Sequence, residues 1–506
     1  MDFALLLDAF ERTHRERGWP RQRLLHECLR AAIRGGQLAP GTRLAATRVL
    51  AAELGLARNT VLYAYEQLAS EGFVLPDRRG TVVAGSVGVP EAAPAAGGSN
   101  DGLSRRARRL RGVAGQDASA AVVFPADAMG AFAPGVPALD EFPLAQWRRM
   151  LDRAWRALTP RQLNYGDPAG EPQLRMAIAD HLRAARGVVC DAGQVFITDG
   201  TQSGLDVCLR AFADQGDTLW IEHPGYGGAL AAGRGAGLQV TGIAVDIDGI
   251  APTDEDWRDT PPRLIYTTPS HQYPTGSVLS PARRMALLER ARAAGALIIE
   301  DDYDSEFRHG GPPLAAMQGL VADAPIVYLG TFSKTMFPAL RLAFIVVPAV
   351  LAGAFAQMQA QGAARGRVAE QLALAEFLRS GLFARHVRRM RRLYRQRRDA
   401  LSEALQRHAC GGAAIHGGTA GMHLALRFHD HAWDDLALSR RAAQDGIVAL
   451  ALSAHGTAEG TGEEPGWNGF LLGYAQVPAE NMDGLARRLG ALLAQAGAAG
   501  QARLAQ

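Results

Sequence analysis

Short apolar runs alternate with helix-like stretches through the middle of this chain, and no other feature constrains its fold as strongly. The runs are VFIT (195–198), TLWIE (218–222), RLIYT (263–267), ALIIE (296–300), IVYLG (326–330) and LAFIVV (342–347). Strands that take turns with helices build a mostly parallel sheet covered on both faces, so the segment from about 121 onward reads as an α/β domain. Past about 355, Arg-rich helical stretches lead to strands near 420–428, 446–452 and 469–475 and a closing helix over about 479–495, the pattern of a smaller α+β domain. A chain of 506 residues exceeds what one core organises. The expected division is a compact front unit over 15–84, a linker over 85–120, a large domain over 121–380 and a small domain over 381–506. The linker carries EAAPAAGG and SRRARRLR, without a strand or long amphipathic pattern, and is expected to be flexible and basic.

Composition excludes several classes. Hydrophobic residues make up 48% and charged residues 21%, which is globular. No run of about 18 uncharged apolar residues occurs, so no membrane span is expected, and the start MDFALLLDAFERTHRER lacks a small-residue cleavage site. Four scattered cysteines, Cys28, Cys190, Cys208 and Cys410, form no CxxC pair; a reduced, cytoplasmic setting is expected, with no disulfide framework and no metal site. Net charge is +3, but residues 1–120 hold 17 Arg against 12 acids. A basic front on a near-neutral body points weakly to phosphate backbones; a solvated basic surface is the bland alternative.

The front unit has the pattern of a DNA reader. Leu24, Leu25, Cys28, Leu29 and Ile33 share one face of a helix over 21–34, stopped by Gly35 and Gly36. Thr47 is placed to cap a short helix carrying Leu50, Ala51 and Leu54. Gly55 makes the turn into a helix from about Arg58 to Ser70, with Val61, Tyr65 and Leu68 inward and Gly72 at its end. Two helices joined by a tight turn form a helix-turn-helix, whose second helix offers its N-terminal side chains to base edges. Arg58, Asn59 and Thr60 stand there. FVLP and TVVA flank Asp77-Arg78-Arg79-Gly80 as a two-stranded wing. The lead-in from Gly36 to Leu44, Arg48, LAAELGLARNTV (50–61) and AYEQLASEGF (64–73) resemble the GntR-type winged helix across the whole unit. Ala57 replaces the Ser that usually caps the recognition helix in that family, and Ala45 replaces a common Pro.

One count stands out in the rest of the chain: Lys334 is the only lysine, the other 53 basic residues being arginine. A GC-rich genome favours Arg, yet a guanidinium cannot form a Schiff base, whereas a lysine of depressed pKa can. A pyridoxal 5'-phosphate (PLP) site needs such an amine, an acid for the pyridine nitrogen, a donor for the phenolate, a flat partner for the ring and a phosphate cradle. Candidates follow the predicted strands, the edge where open α/β sheets hold ligands. Lys334 lies in GTFSK after IVYLG; Asp301 and Tyr303 lie in EDDYDSEF after ALIIE, with Asp302 and Asp304 read as solvated loop. Gly200, Thr201 and Gln202 open a helix whose free N–H groups suit a phosphate, and Tyr226 in EHPGYGG can stack on the ring.

These stretches resemble the type I aminotransferase fold, and the wording is closest to MocR-type regulators: FAPGVPALDEFPLAQW (132–147), NYGDPAGEPQLRMAIADHLRAARGV (164–188), ITDGTQSGLD (197–206), TTPSHQYPTG (267–276), IIEDDYDSEF (298–307) and GTFSKTMFPALRLAF (330–344). The resemblance implies that Lys334 forms the internal aldimine, Asp301 pairs with the pyridine nitrogen, Tyr303 donates to the phenolate oxygen and Tyr226 stacks. It implies a phosphate site of Gly200, Thr201, Gln202, Thr331 and Ser333, with Arg341 near the phosphate or an effector carboxylate. It also implies a homodimer that binds double-stranded promoter DNA through Arg48, Arg58, Asn59, Thr60, Arg78 and Arg79. Two positions depart from the enzyme pattern. Tyr273 in QYPTG stands where transaminases carry Asn, and Leu471 stands where they place an Arg for the substrate carboxylate, which a leucine cannot pair.

The leading expectation is therefore a PLP-dependent transcription regulator responding to PLP itself, or to a PLP–amine aldimine, in vitamin B6 or amine and amino-acid metabolism. Effector themes in the family include GABA, taurine and PLP. The runner-up is a working aminotransferase with a regulatory front domain, in which Lys334 shuttles the α-proton. A cofactor-free scaffold is disfavoured by the joint presence of Lys334, Asp301 and Tyr303.

Overall fold

A computed structural model describes residues 2–14, 17–77, 80–85, 104, 130–310, 314–362, 366–430, 433–456 and 467–504, and among these residues four helices and a hairpin lie in the first unit, Met1–Asp101. The helices are Phe3–Thr13, Arg21–Arg34, Thr47–Leu54 and Arg58–Ser70. Leu24, Leu25, Cys28, Leu29 and Ile33 bury one face of the second against Leu50, Ala51, Val61, Tyr65 and Leu68. The spacing of the apolar residues thus gives the helix-turn-helix directly, and Gly55, at φ +63°, makes the left-handed turn that a side chain would strain. Helix Phe3–Thr13 has no counterpart in the sequence reading. Asp2 caps it, accepting from Ala4 N and Leu5 N, and it places Leu7 in the same core.

The wing is an antiparallel pair of β1 (Val74–Asp77) and β2 (Gly80–Val83). Arg78 and Arg79 lie outside the described residues. Thr47 does not cap its helix: it is the first helical residue, and Ala46 holds the cap position without a side-chain bond. Ala57 likewise precedes Arg58 without one. Ala57→Ser should therefore stabilise the recognition helix by about 1 kcal/mol, read as roughly fivefold greater hydrogen-exchange protection of its first-turn amides in the intact protein.

The described residues of the second unit, Gly102–Gln506, form two sheets. The strands of the larger one are β3 (Val195–Thr198), β4 (Thr218–His223), β5 (Gln239–Asp246), β6 (Gly249–Ile250), β7 (Leu264–Thr267), β8 (Leu297–Asp302), β9 (Ile326–Thr331) and β10 (Ala343–Val346). Their order is β3-β10-β9-β8-β7-β4-β5-β6. Pairs among β4, β5, β7, β8 and β9 are parallel, while β10 runs antiparallel between β3 and β9. All six apolar runs are strands. β5 and β6 were not foreseen: β5 alternates buried and exposed positions near the sheet edge, so its sequence lacks a continuous apolar run. Helices cover both faces, with two clusters of buried side chains, one around Trp220 and Ile298 and the other around Phe196 and Leu329.

The smaller sheet has the order β11 (Ala413–Gly417), β12 (His423–Phe428), β14 (Gly469–Gly473), β13 (Leu450–Ala451), all antiparallel. Leu424, Leu426, Phe428, Phe470 and Leu472 share a core with residues of helices Leu382–His408 and Met482–Leu504. The alternate residues His423, Ala425 and Leu471 therefore occupy the opposite face. β11 escaped the sequence reading because AAIHG is short and only partly buried. No helix among the described residues is long and apolar enough to cross a membrane.

Candidate functional site

The carboxyl ends of β3, β4, β8 and β9 carry the candidate residues. Lys334 follows β9, is half-buried, and donates from Nζ to Gly135 O at 2.9 Å. Burial lowers its pKa, which keeps the amine available as a nucleophile; Asp304 and Asp301 partly oppose that shift. Asp301 lies inside the last residues of β8, 4% exposed. Its Oδ2 accepts from Tyr266 OH at 2.6 Å, while Oδ1 is buried without a hydrogen-bond partner. Burial pushes its pKa up to about 7, against the hydrogen bond from Tyr266. A buried carboxylate oxygen left bare is costly unless a donor arrives from outside the chain, and a protonated pyridine nitrogen is such a donor.

Gly200, at φ +90°, precedes helix Thr201–Phe212. A Cβ at Gly200 would lie 2.7 Å from the Arg341 guanidinium, so only glycine lets that side chain approach. Arg341 itself sits at φ +52° and donates to Asp199 O at 2.8 Å. The first intrahelical bond is Gly204 N to Gly200 O, so the preceding N–H groups of Thr201, Gln202 and Ser203 face the helix mouth beside that cation. Thr331 Oγ1 and Ser333 Oγ lie 3.1 Å apart across the GTFSK turn. Gln202 is tied to Gly228 O at 2.9 Å by its Nε2. Tyr226 presents its ring 6.4 Å from that of Tyr266 and roughly parallel to it, and burial raises its hydroxyl to about 12. Tyr303 donates to His271 O at 2.9 Å, with His271 Nδ1 3.1 Å away.

Asp302 and Asp304 are not solvated, as the sequence reading expected. Asp302 is buried and ion-paired with Arg186 at 2.7 Å, and it accepts from Tyr328 OH. Asp304 is buried against His271. Charge alone could not distinguish a strand end from a loop; the strand simply runs farther than its apolar part. Arg186→Met strands the Asp302 carboxylate and should cost about 3–5 kcal/mol of stability, measured by denaturant unfolding of the large unit. Adding Asp302→Leu should recover most of the loss, because replacing both partners removes the buried charge.

Several neighbours gave no signal in the sequence. Glu222 is buried among Thr267, Thr268 and Gln272. His455 Nε2 meets Tyr273 OH at 3.3 Å, and burial lowers its pKa to about 4. His271, Asp304 and His423 offer ligand atoms within 4.8 Å of one another, close enough for a cation, although His271 Nδ1 is already shared between Asp304 and Tyr303. These residues are distant in sequence, and only their approach in space gives them meaning.

Leu471 is fully buried, clustered with Ala425 and Leu452 and packed against Tyr273, Leu450 and Trp467. Arg427, on β12 beside the Leu471 strand, stacks on Trp467 at 4.9 Å and lines a cavity of about 1310 Å³ whose lining includes neither Lys334 nor Asp301. In the front unit, Arg48, Arg58 and Asn59 are exposed and Thr60 is half-buried at the start of the recognition helix.

The sequence profile of the class I and II aminotransferases matches residues 132–489, and that of the gntR family of bacterial regulatory proteins matches residues 22–83. The probable rhizopine catabolism regulatory protein MocR of Rhizobium meliloti is 38% identical over 465 residues, 92% of either chain. The chain belongs to the MocR-type GntR regulators. The MocR-type architecture joins a DNA-binding winged helix to a PLP-aminotransferase fold. The pyridoxine biosynthesis regulator PdxR of Corynebacterium glutamicum is 32% identical, covering 75% of this chain and 78% of its own. Among solved structures, the α-aminoadipate aminotransferase LysN of Thermus thermophilus, complexed with N-(5'-phosphopyridoxyl)-L-leucine, superposes with a TM-score of 0.68 at 26% identity, covering 79% of this MocR-type chain and 99% of LysN.

Proposed function

We propose that this regulator senses PLP, free or joined to a small amine, and that occupancy of the large domain alters promoter binding by the winged helix of a homodimer. The observation that carries the proposal is a mismatch within one pocket. The groups suited to the cofactor are present, including the bare Asp301 Oδ1, whereas the strand position that anchors a substrate carboxylate in transaminases holds the buried Leu471.

When bound, PLP supplies an aldehyde for an amine and an electron-withdrawing pyridine ring. Lys334 Nζ is its covalent anchor. Asp301 Oδ1 accepts from the ring nitrogen, Tyr303 donates to the phenolate oxygen, and Tyr226 covers the ring. Gly200, Thr201, Gln202, Thr331 and Ser333 take the phosphate, with Arg341 adding charge. Arg58, Asn59 and Thr60 read bases, and Arg48, Arg78 and Arg79 hold the DNA backbone. Vitamin B6 or amine metabolism is the output proposed for that effector class, in keeping with the pyridoxine biosynthesis regulator among its relatives. The depressed basicity of Lys334 also lets it move a proton, so a residual half-transamination of amines is the second reading.

Operator binding at one stated salt concentration tests the proposal. The arms are no addition, PLP alone, and PLP with carboxylate-free amines or with amino acids. PLP alone or with a carboxylate-free amine should change affinity at least tenfold, because a ligand shifts an equilibrium only by its differential affinity for the two states. Equal affinity in every arm, with PLP shown to be bound, ends the sensor reading. Conversion of PLP to its amine form by the same panel measures the half-reaction.

A further inference from the structure

Asp304 is a buried carboxylate beside the site that is held by one imidazole. Its side chain is 1% exposed, and both oxygens lie 3.1–3.2 Å from a single atom, His271 Nδ1. No other hydrogen-bond donor reaches that carboxylate among the described residues. Asp302 by contrast has Arg186, Glu222 has two threonines and a glutamine, and Glu300 has the N–H groups of Met317 and Gln318. His271 is itself fully buried, and its Nε2 has no partner. A proton on Nε2 would lack an acceptor, so the ring proton belongs on Nδ1, where the carboxylate accepts it. The packing tolerates nothing else there. A Cβ on Gly421, at φ +77°, would fall 2.0 Å from His271 Cε1 and 2.6 Å from Asp304 Oδ2, and the His423 ring lies 4.4 Å from that of His271.

Tyr303 completes the chain. Its hydroxyl oxygen is 3.1 Å from the same Nδ1 and 2.9 Å from His271 O. We infer that Asp304 and His271 are positioning residues for Tyr303, forming a carboxylate–imidazole–phenol chain that sets its hydroxyl as a donor toward the cofactor pocket. This rests on the reading of Lys334 and Tyr303 as cofactor-holding groups. Asp304 fixes the Nδ1–H tautomer. With that proton held by Asp304, Nδ1 offers the phenol no lone pair, so the tyrosine proton is left to the His271 carbonyl or to the cofactor. A donor on the phenolate draws negative charge away from the neighbouring Lys334 nitrogen and lowers the pH at which that nitrogen gives up its proton.

The ionisable groups around Tyr303 include His271, Asp304, Tyr273, Asp301 and Glu222, and those around Lys334 include Asp304, Asp301 and His423. Asp304 acts directly on both, so the variants are made at His271. The readout is the pH midpoint of the visible absorption of the PLP-loaded protein. Tyr303→Phe should raise the midpoint. His271→Leu should raise it by about one unit, a tenfold change in proton affinity. His271→Asn, whose amide N–H can stand in for Nδ1–H, should stay near wild type. His271→Leu added to Tyr303→Phe should produce no further shift, since coupled residues are not additive. A shift of equal size in both backgrounds, or none in a variant that binds PLP, overturns the inference. Nitrogen-15 spectra of the wild-type His271 ring give a check independent of folding: a proton on Nε2 instead of Nδ1 also overturns it. A wild-type protein without any cofactor absorption instead sinks the PLP reading on which it rests.

Discussion

Lys334→Ala abolishes covalent capture of PLP. Borohydride treatment of the PLP-saturated wild-type protein should add one reduced cofactor per chain, located by peptide mass at Lys334, and the variant should add none. The expectation is sharper than in an ordinary protein because this chain has no second lysine. Surface lysines that trap PLP adventitiously do not exist here, and arginine cannot substitute. The α-amino terminus is the one other primary amine, and peptide mapping separates it. The buried amine also loses the hydrogen bond to Gly135 O, leaving that carbonyl bare. A modest stability loss of about 1 kcal/mol is expected from that bond alone. Operator binding in the absence of PLP should survive, whereas its response to PLP should disappear. A variant that still responds fully to PLP would mean that covalent attachment is irrelevant to the signal.

Asp301→Asn should move stability and cofactor affinity in opposite directions. In the cofactor-free protein the Asp301 pKa stands at about 7 because burial disfavours the anion. The unfolded chain releases that proton near the ordinary value of about 3.9. Between those limits the native state therefore binds more protons than the unfolded state, and stability falls as pH rises through the window from about 4 to 7. Above it the buried anion costs on the order of a few kcal/mol. Asn carries no charge, so the PLP-free variant should be more stable than wild type at pH 8 and should lose the pH dependence over that window. PLP reverses the ranking. The bare Oδ1 gains a pyridinium N–H, and a carboxamide cannot hold that nitrogen protonated. Affinity for PLP should drop about 100-fold, consistent with loss of a charge-assisted buried bond. Denaturant unfolding at pH 5 and pH 8, with and without PLP, measures both effects. Equal destabilisation of the variant in all four conditions would mean that Asp301 serves packing and not the ring nitrogen.

The two positions illustrate how unevenly sequence and structure contribute. Lys334 was legible because composition isolated it and an apolar run placed it at a strand end. Asp301 was singled out only by its place at the end of an apolar run, and its neighbours were misjudged. EDDYDSEF looked like a solvated acidic loop after its first aspartate, and what buries Asp302 is Arg186, an arginine from a helix far earlier in the chain. The helix-turn-helix was readable residue by residue, because its buried positions follow a 3.6-residue period and glycines mark its turns. The missing cap at Ala57 was also visible, whereas the shift of the cap from Thr47 to Ala46 was not. Cap choice depends on where the preceding loop arrives, which local propensity does not specify.

Sequence alone determined the helix-turn-helix, the six apolar strands and their order, the sole lysine and the acid at the end of β8, because periodicity and composition are local properties. Tertiary structure alone decided which side chains share the pocket. The histidine pair, the Asp304–His271–Tyr303 chain, the apolar seat of Leu471 and the stacking of Arg427 on Trp467 all join residues from strands and loops remote in the chain. Such contacts arise from the parallel pairing of β7 with β8, which brings the loops after them together, and from the small sheet packing one face against Tyr273 of the large domain. No window of neighbouring residues carries that information, since the energies that fix it are paid between segments and not within them.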